Sequence, residues 1–177
     1  MVPRAQAEFG YAQMQVLSFE DLYAGKLCAA LDRQHPRDLF DVRLLLAAEG
    51  IKLRLKNAFL VYLLGHHRPM AELIAPTRKD NRVIYEGEFA GMVIEPVALE
   101  VLDAAREELI TTIQRSLTEE DRQFLLAVKR GDADWSTFPI PEAKELPAVR
   151  WKLHNLSQME QNKRHKALQA LERVLYG

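Results

Sequence analysis

The chain opens on a short alternation of apolar and polar side chains and then changes period. Ala12-Gln13-Met14-Gln15-Val16 has the two-residue repeat of a strand with one buried face. From there on, apolar residues recur at three to four. Ser18 can accept the free N–H groups of a first helical turn, with Asp21 at the third helical position and Leu17 and Leu22 at staple spacing. This predicts a helix from Phe19 to about Arg33, with Ala24, Leu27 and Leu31 near one face and Lys26, Ala30 and Arg33 near another. Gln34-His35-Pro36 breaks the pattern, and Pro36 can open a second helix carrying Asp38, Leu39, Val42, Leu45 and Leu46 up to Gly50. A third helix is predicted from Leu53 to Leu64, closed by Gly65.

Residues 66–96 are broken by Pro69, Pro76, Gly87, Gly91 and Pro96, leaving one helical turn around Met70 to Ile74. Val83-Ile84-Tyr85 and Met92-Val93-Ile94 read equally as short strands or as apolar loop anchors. A long helix follows from about Val97 to Arg115, then one capped by Thr118, with three acidic residues in its first turn and Gly131 as its stop. Asp132 to Pro147, with Pro139, Pro141 and Pro147, reads as a connector held down by Trp135 and Phe138. A last helix is expected from about Ser157 to Leu175. The expected architecture is mainly α: a six-helix bundle over residues 18–177, preceded by a strand segment over residues 1–17.

Composition narrows the function classes. With 48% hydrophobic and 28% charged residues, 177 residues suffice for one domain with a real core. The formal charge of -1 gives no global field for nucleic acid, although a local basic patch stays possible. Cys28 is the only cysteine, which excludes an intramolecular disulfide. No eighteen-residue apolar run and no signal-peptide pattern occurs, so a cytoplasmic protein without membrane contact is expected. Glycine-rich phosphate loops and nucleophile elbows are absent too.

The densest chemistry lies on the first two helices. Lys26 and Arg33 are seven residues apart, about 10 Å along one helix face, a span able to bracket a phosphate-bearing ligand. Asp38 and Asp41 share a face of the next helix, and Arg37 and Asp41 have ion-pair spacing. These groups suit a phosphate or metal site, and equally a salt-bridge network tying two helices together. His66 and His67, taken with His35, His154 or His165, make no zinc spacing and read as surface or capping groups. Asp132 and Asp134 read as turn formers. Lys163-Arg164-His165-Lys166 reads as a solvated helix face or an RNA contact, and Lys152 can reach a neighbouring pocket on its long stem.

Leu17-Ser18-Phe19-Glu20-Asp21-Leu22, the Lys-x-x-Ala-x-x-x-Arg stretch from Lys26 to Arg33, and Arg37-Asp38-Leu39-Phe40-Asp41 together resemble the AbiEii/AbiGii family of nucleotidyltransferase-fold toxins. Phe89-Ala90-Gly91-Met92, Trp135 and Trp151 to Leu156 extend the resemblance. It implies that Lys26 binds nucleotide phosphates, that Asp41 acts in or supports the reaction, and that Arg37 and Asp38 orient these two groups, with Arg33 added to the phosphate site by its spacing from Lys26. Magnesium and a nucleoside triphosphate are the cofactors expected of a complete member, held by a Gly-Ser turn and an Asp-x-Asp pair. Neither precedes Ser18 here, and Asp132-Ala133-Asp134 lies far downstream. The expectation is therefore the carboxy-terminal part only of such a toxin, its strand left over from a truncated α/β core, inactive alone and holding no cofactor in isolation. Its expected partners are a second copy pairing the strand in a homodimer, a missing amino-terminal half, or an antitoxin protein, with RNA left open. The alternative is a non-enzymatic helical module that binds an antitoxin, RNA or a second chain.

Overall fold

The computed structural model describes Gly10 and residues 15–177. Helix α1, Phe19–Asp32, begins where Ser18 Oγ accepts the Asp21 N–H at 3.1 Å. The reciprocal half of a capping box is not made, because the Asp21 carboxylate accepts the Tyr62 hydroxyl at 2.9 Å. Helix α2, Pro36–Ala48, has proline at its first position, where no N–H is needed, and is capped by the His35 ring accepting the Arg37 N–H. Helix α3, Leu53–Gly65, packs along α1. Gly25 permits the approach, since a Cβ there would lie 3.3 Å from the Tyr62 ring.

A short α4, Met70–Ile74, leads into a loop, a helical turn at Arg82–Ile84 and a π-helical turn at Tyr85–Phe89. The apolar Val83 is exposed and Met92 to Ile94 lie in bends, so both segments resolve into surface turns rather than strands. Helix α5, Leu99–Ser116, packs on α2 and buries Leu102, Leu109 and Ile113. Helix α6, Glu119–Arg130, carries a full capping box between Thr118 and Asp121 and stops at Gly131, whose φ of 94° is left-handed.

The proline-rich connector contains more order than its composition suggests. Two 3-10 turns precede helix α7, Pro147–Ser157, and Pro147 opens that helix rather than breaking the chain. Helix α8, Gln161–Tyr176, closes the bundle against α6. The core runs through Leu27, Leu31, Leu39, Phe59, Leu63, Leu73 and Leu109, all essentially inaccessible, each adding about 1.5–3 kcal/mol of burial.

Two polar crosslinks run through this core. Gln34, buried and at φ 56° between α1 and α2, donates to the Thr77 carbonyl at 2.8 Å. Its side-chain oxygen accepts from Lys79 N–H and from the Arg106 guanidinium, and its backbone carbonyl accepts from Asn81 at 2.7 Å. Lys56 on α3 and Asp121 on α6 form a buried ion pair at 2.5 Å.

The expected strand is not found: among the described residues every regular element is helical. Residues 12–14 lie outside the described residues, while Gln15 and Val16 are irregular and Val16 is 81% exposed. Five alternating residues bury nothing without a neighbouring ladder, and no strand occurs among the described residues. The fold class is therefore all-helical in the described residues, with no remnant of a truncated α/β core. No described helix is long and apolar enough to cross a membrane.

Candidate functional site

The motif residues of α1 and α2 meet across the interface between these two helices. Lys26 Nζ donates to Asp41 Oδ2, with the two side chains 33% and 38% exposed. Nearer the interhelical turn, the Arg33 guanidinium donates to Asp38 Oδ1 at 2.9 Å. Arg37 does not reach Asp41. It donates through Nε and Nη2 to the Glu88 carbonyl at 3.3 and 3.0 Å, which fastens the π-helical turn to α2, while His35 faces the Glu88 carboxylate at 3.2 Å. The i, i+4 spacing of Arg37 and Asp41 thus yields to a tertiary partner for each.

This set holds two cation–carboxylate pairs rather than a cluster of free acids. A magnesium ion needs several carboxylate or carbonyl oxygens turned toward one point. Asp41 is turned to Lys26 and Asp38 to Arg33, leaving one buried Asp38 oxygen without a hydrogen-bond partner among the described residues. Asp134 caps the turn at Ser136, which lowers its pKa through those two hydrogen bonds, and Asp132 pairs with Arg130. These four carboxylates therefore do not fit magnesium by themselves. Lys26 and Arg33 do stand on one side of α1 with part of each cation exposed, so a phosphate can share them with their carboxylates.

A second cluster escapes motif reading altogether. At the end of α1, the Asp32 carboxylate pairs with the Arg68 guanidinium, and lies 3.7 Å from His66 Nε2 and 4.0 Å from His67 Nε2. One ligand atom from each of Asp32, His66 and His67 lies within 4.8 Å of the others, the spacing of a potential metal site. Burial, then the neighbouring His67, pushes the His66 pKa down, which favours the neutral ring. Its Nδ1 accepts the Arg68 N–H, so the neutral ring carries its proton on Nε2, facing Asp32. Arg68 is the carboxylate's near partner, and the His66 Nε2 at 3.7 Å is too far to donate a hydrogen bond to it. The histidines find their partner 34 residues upstream, at a position that no local spacing exposes.

Lys152, on α7, sends its ammonium to the carbonyls of His66 and Arg68 at 2.6 and 2.5 Å. Burial, reinforced by the charge of Lys129, pushes its pKa down to about 8. Its stem crosses to the end of α3, so its target is the backbone after that helix. Lys163 and Lys166 lie on an exposed face of α8, while Arg164 turns inward to the carbonyls of Arg130, Leu156 and Ser157.

Comparison with curated proteins gives no match, and comparison with solved structures gives none. A family model described as nucleotidyl transferase AbiEii toxin, type IV TA system, matches residues 1–155. Its span corrects the expectation of a carboxy-terminal part only, because the match begins at residue 1 and leaves out residues 156–177. The Lys26 and Asp41 motifs sit inside the matched stretch, and the expected late motif around Trp151 reaches its end. With 155 of its 177 residues matched, the chain belongs to the AbiEii nucleotidyltransferase toxin family of toxin–antitoxin systems.

Proposed function

We propose that this chain is a nucleotidyltransferase-like protein of an abortive-infection or toxin–antitoxin pair that is inactive by itself. Residues 18–177 act as its helical unit, and residues 1–17 as the segment leading into it. Lys26 and Arg33 serve as the phosphate-binding cations, Asp41 holds the Lys26 ammonium in place, and Asp38 and Arg37 position Arg33 and the α2 face. The carrying observation is that both cations stand partly exposed on α1 while the α2 carboxylates beside them are already paired with them. Phosphoryl chemistry needs cations that neutralise charge developing on the transferred group, and magnesium supplies most of that in a complete site. Here the protein contributes two fixed cations, and a second polypeptide contributes the magnesium-holding carboxylates. Exposed Leu17, Phe19, Leu22 and Leu53, at the amino-terminal ends of α1 and α3, are consistent with such a partner.

The test is transfer of radiolabelled nucleotide to RNA or protein by the purified full chain with magnesium, with and without the products of adjacent reading frames. No transfer by the chain alone, and transfer in a reconstituted mixture that falls at least tenfold with Lys26→Ala, are expected. Robust transfer by the chain alone would overturn the incompleteness.

A second reading, a non-enzymatic helical module binding an antitoxin or RNA, draws on the same pairs. Arg37 spends its donors on a backbone carbonyl and the other two cations face carboxylates, as in a network that only ties helices together. Reconstituted transfer indifferent to Lys26→Ala would favour it.

A further inference from the structure

A cavity of about 370 Å³ opens between the end of α6, the connector after it, and helices α7 and α8. No residue of α1 or α2 lines it, so it is separate from the Lys26 face. Its charged lining is cationic throughout: Lys129, Arg130, Lys144 and Arg164, with no Asp or Glu among the lining residues. Arg130 is compensated by Asp132 at 3.2 Å. The other three have no ion-pair partner among the described residues.

Lys129 is the informative member. It is 5% exposed, lines the cavity, and has no hydrogen-bond or ion-pair partner among the described residues. Its stem is buried and no counter-charge faces it among the described residues, and burial followed by the Arg164 charge pushes its pKa down. Lys129 lies near enough to Lys152 to lower that group's pKa as well, so the local field extends beyond the cavity wall. Arg164 is held rigidly, its Nη atoms donating to carbonyls at the ends of α6 and α7, while its buried Nε has no partner. Arg164 is thus fixed by the bundle before any ligand arrives, which lowers the cost of ordering it. The apolar part of the lining includes Trp135 and Leu153. Trp135 is set edge-on to Phe124 and Phe138 at ring distances of 5.2 and 5.7 Å.

We propose that this cavity is a binding site for a small phosphate monoester, its dianionic phosphate against Lys129, Lys144 and Arg164 and its organic body against Trp135 and Leu153. Three uncompensated cations call for more than one negative charge, which a single carboxylate does not bring. The volume lies at the lower end of the range for small-ligand sites, about 300–1,000 Å³, which admits a compact ligand rather than a folded partner. The site lies partly outside the stretch matched to the family, since Leu156, Ser157 and Arg164 follow residue 155. It does not depend on the nucleotidyl-transfer reading of Lys26.

Calorimetric titration of the full chain with adenosine monophosphate, inorganic phosphate, adenosine and an acidic peptide tests it. Adenosine monophosphate should bind tightest, inorganic phosphate more weakly, and adenosine not measurably. Lys129→Met should weaken the monophosphate at least tenfold, and Lys144→Glu, at an exposed position with little bearing on folding, should do the same. Lys163→Met, on the exposed face of α8 and outside the cavity lining, should leave this binding unchanged. The assignment is overturned if the monophosphate does not bind, if adenosine binds as well, if the acidic peptide binds more tightly, or if Lys144→Glu and a folded Lys129→Met both bind as the parent does.

Discussion

The Lys26–Asp41 pair sits where stability and function make different demands, and a double-mutant cycle separates them. Lys26→Met and Asp41→Asn keep side-chain size while removing one charge each, and the double variant removes both. With the two side chains 33% and 38% exposed, water screens the pair on one side, and a coupling of about 0.2–1 kcal/mol is expected. Neither single variant should expose an uncompensated buried charge, so each should shift the melting temperature by no more than about 2–4 °C, the shift that about 1 kcal/mol produces in a domain of this size. The coupling should also shrink as salt is added. The assay is urea denaturation of the four full-length proteins at low and high ionic strength, checked for a constant dependence on urea so that the energies compare like with like. A coupling of about 3 kcal/mol or more, the range of a buried pair, would refute the reasoning. Lys26 would then be a clamp locked to Asp41, and its ammonium would not be available to a phosphate.

The buried pair behaves oppositely: Lys56→Met should cost about 3–5 kcal/mol because it strands the Asp121 carboxylate, and a loss under about 1 kcal/mol in urea denaturation would count against that burial. Gln34→Ala should cost about 2 kcal/mol or more, since it leaves Thr77 O, Lys79 N–H and part of Arg106 without their buried partner; amide exchange at Lys79 should speed up with it. Gly131→Ala should cost about 1 kcal/mol by its left-handed backbone alone, because an added Cβ meets nothing closer than Arg164 at 3.9 Å; an unchanged melting temperature would contradict the helix stop. Lys152, with its folded pKa near 8 against an ordinary 10.5, binds fewer protons folded than unfolded between those values. Stability of the parent relative to Lys152→Met should therefore rise as pH climbs from 8 to 10.5, and a falling difference over that window would reverse the assignment.

The sequence by itself determined the helices whose signals are local. Ser18, Pro36, Thr118 and Gly131 act within one turn of the backbone groups they serve, and α1, α2 and α6 begin or end at those residues. The Lys26 and Asp41 motifs were legible for a similar reason, being short and close together, and they lie inside the stretch matched to the family. Helix α7 was hidden, because three prolines in nine residues read as breakers when one of them stands at a first helical position. The strand expected at residues 12–16 rested on a pattern too short to stand without a partner. Tertiary structure alone decided who pairs with whom. Arg37 left Asp41 for Glu88, Asp32 met two histidines 34 and 35 residues away, and Lys129 and Arg164 were brought to one cavity from separate helices. Charges choose partners by distance and burial in space, and spacing along the chain reports those only within a turn or two of helix.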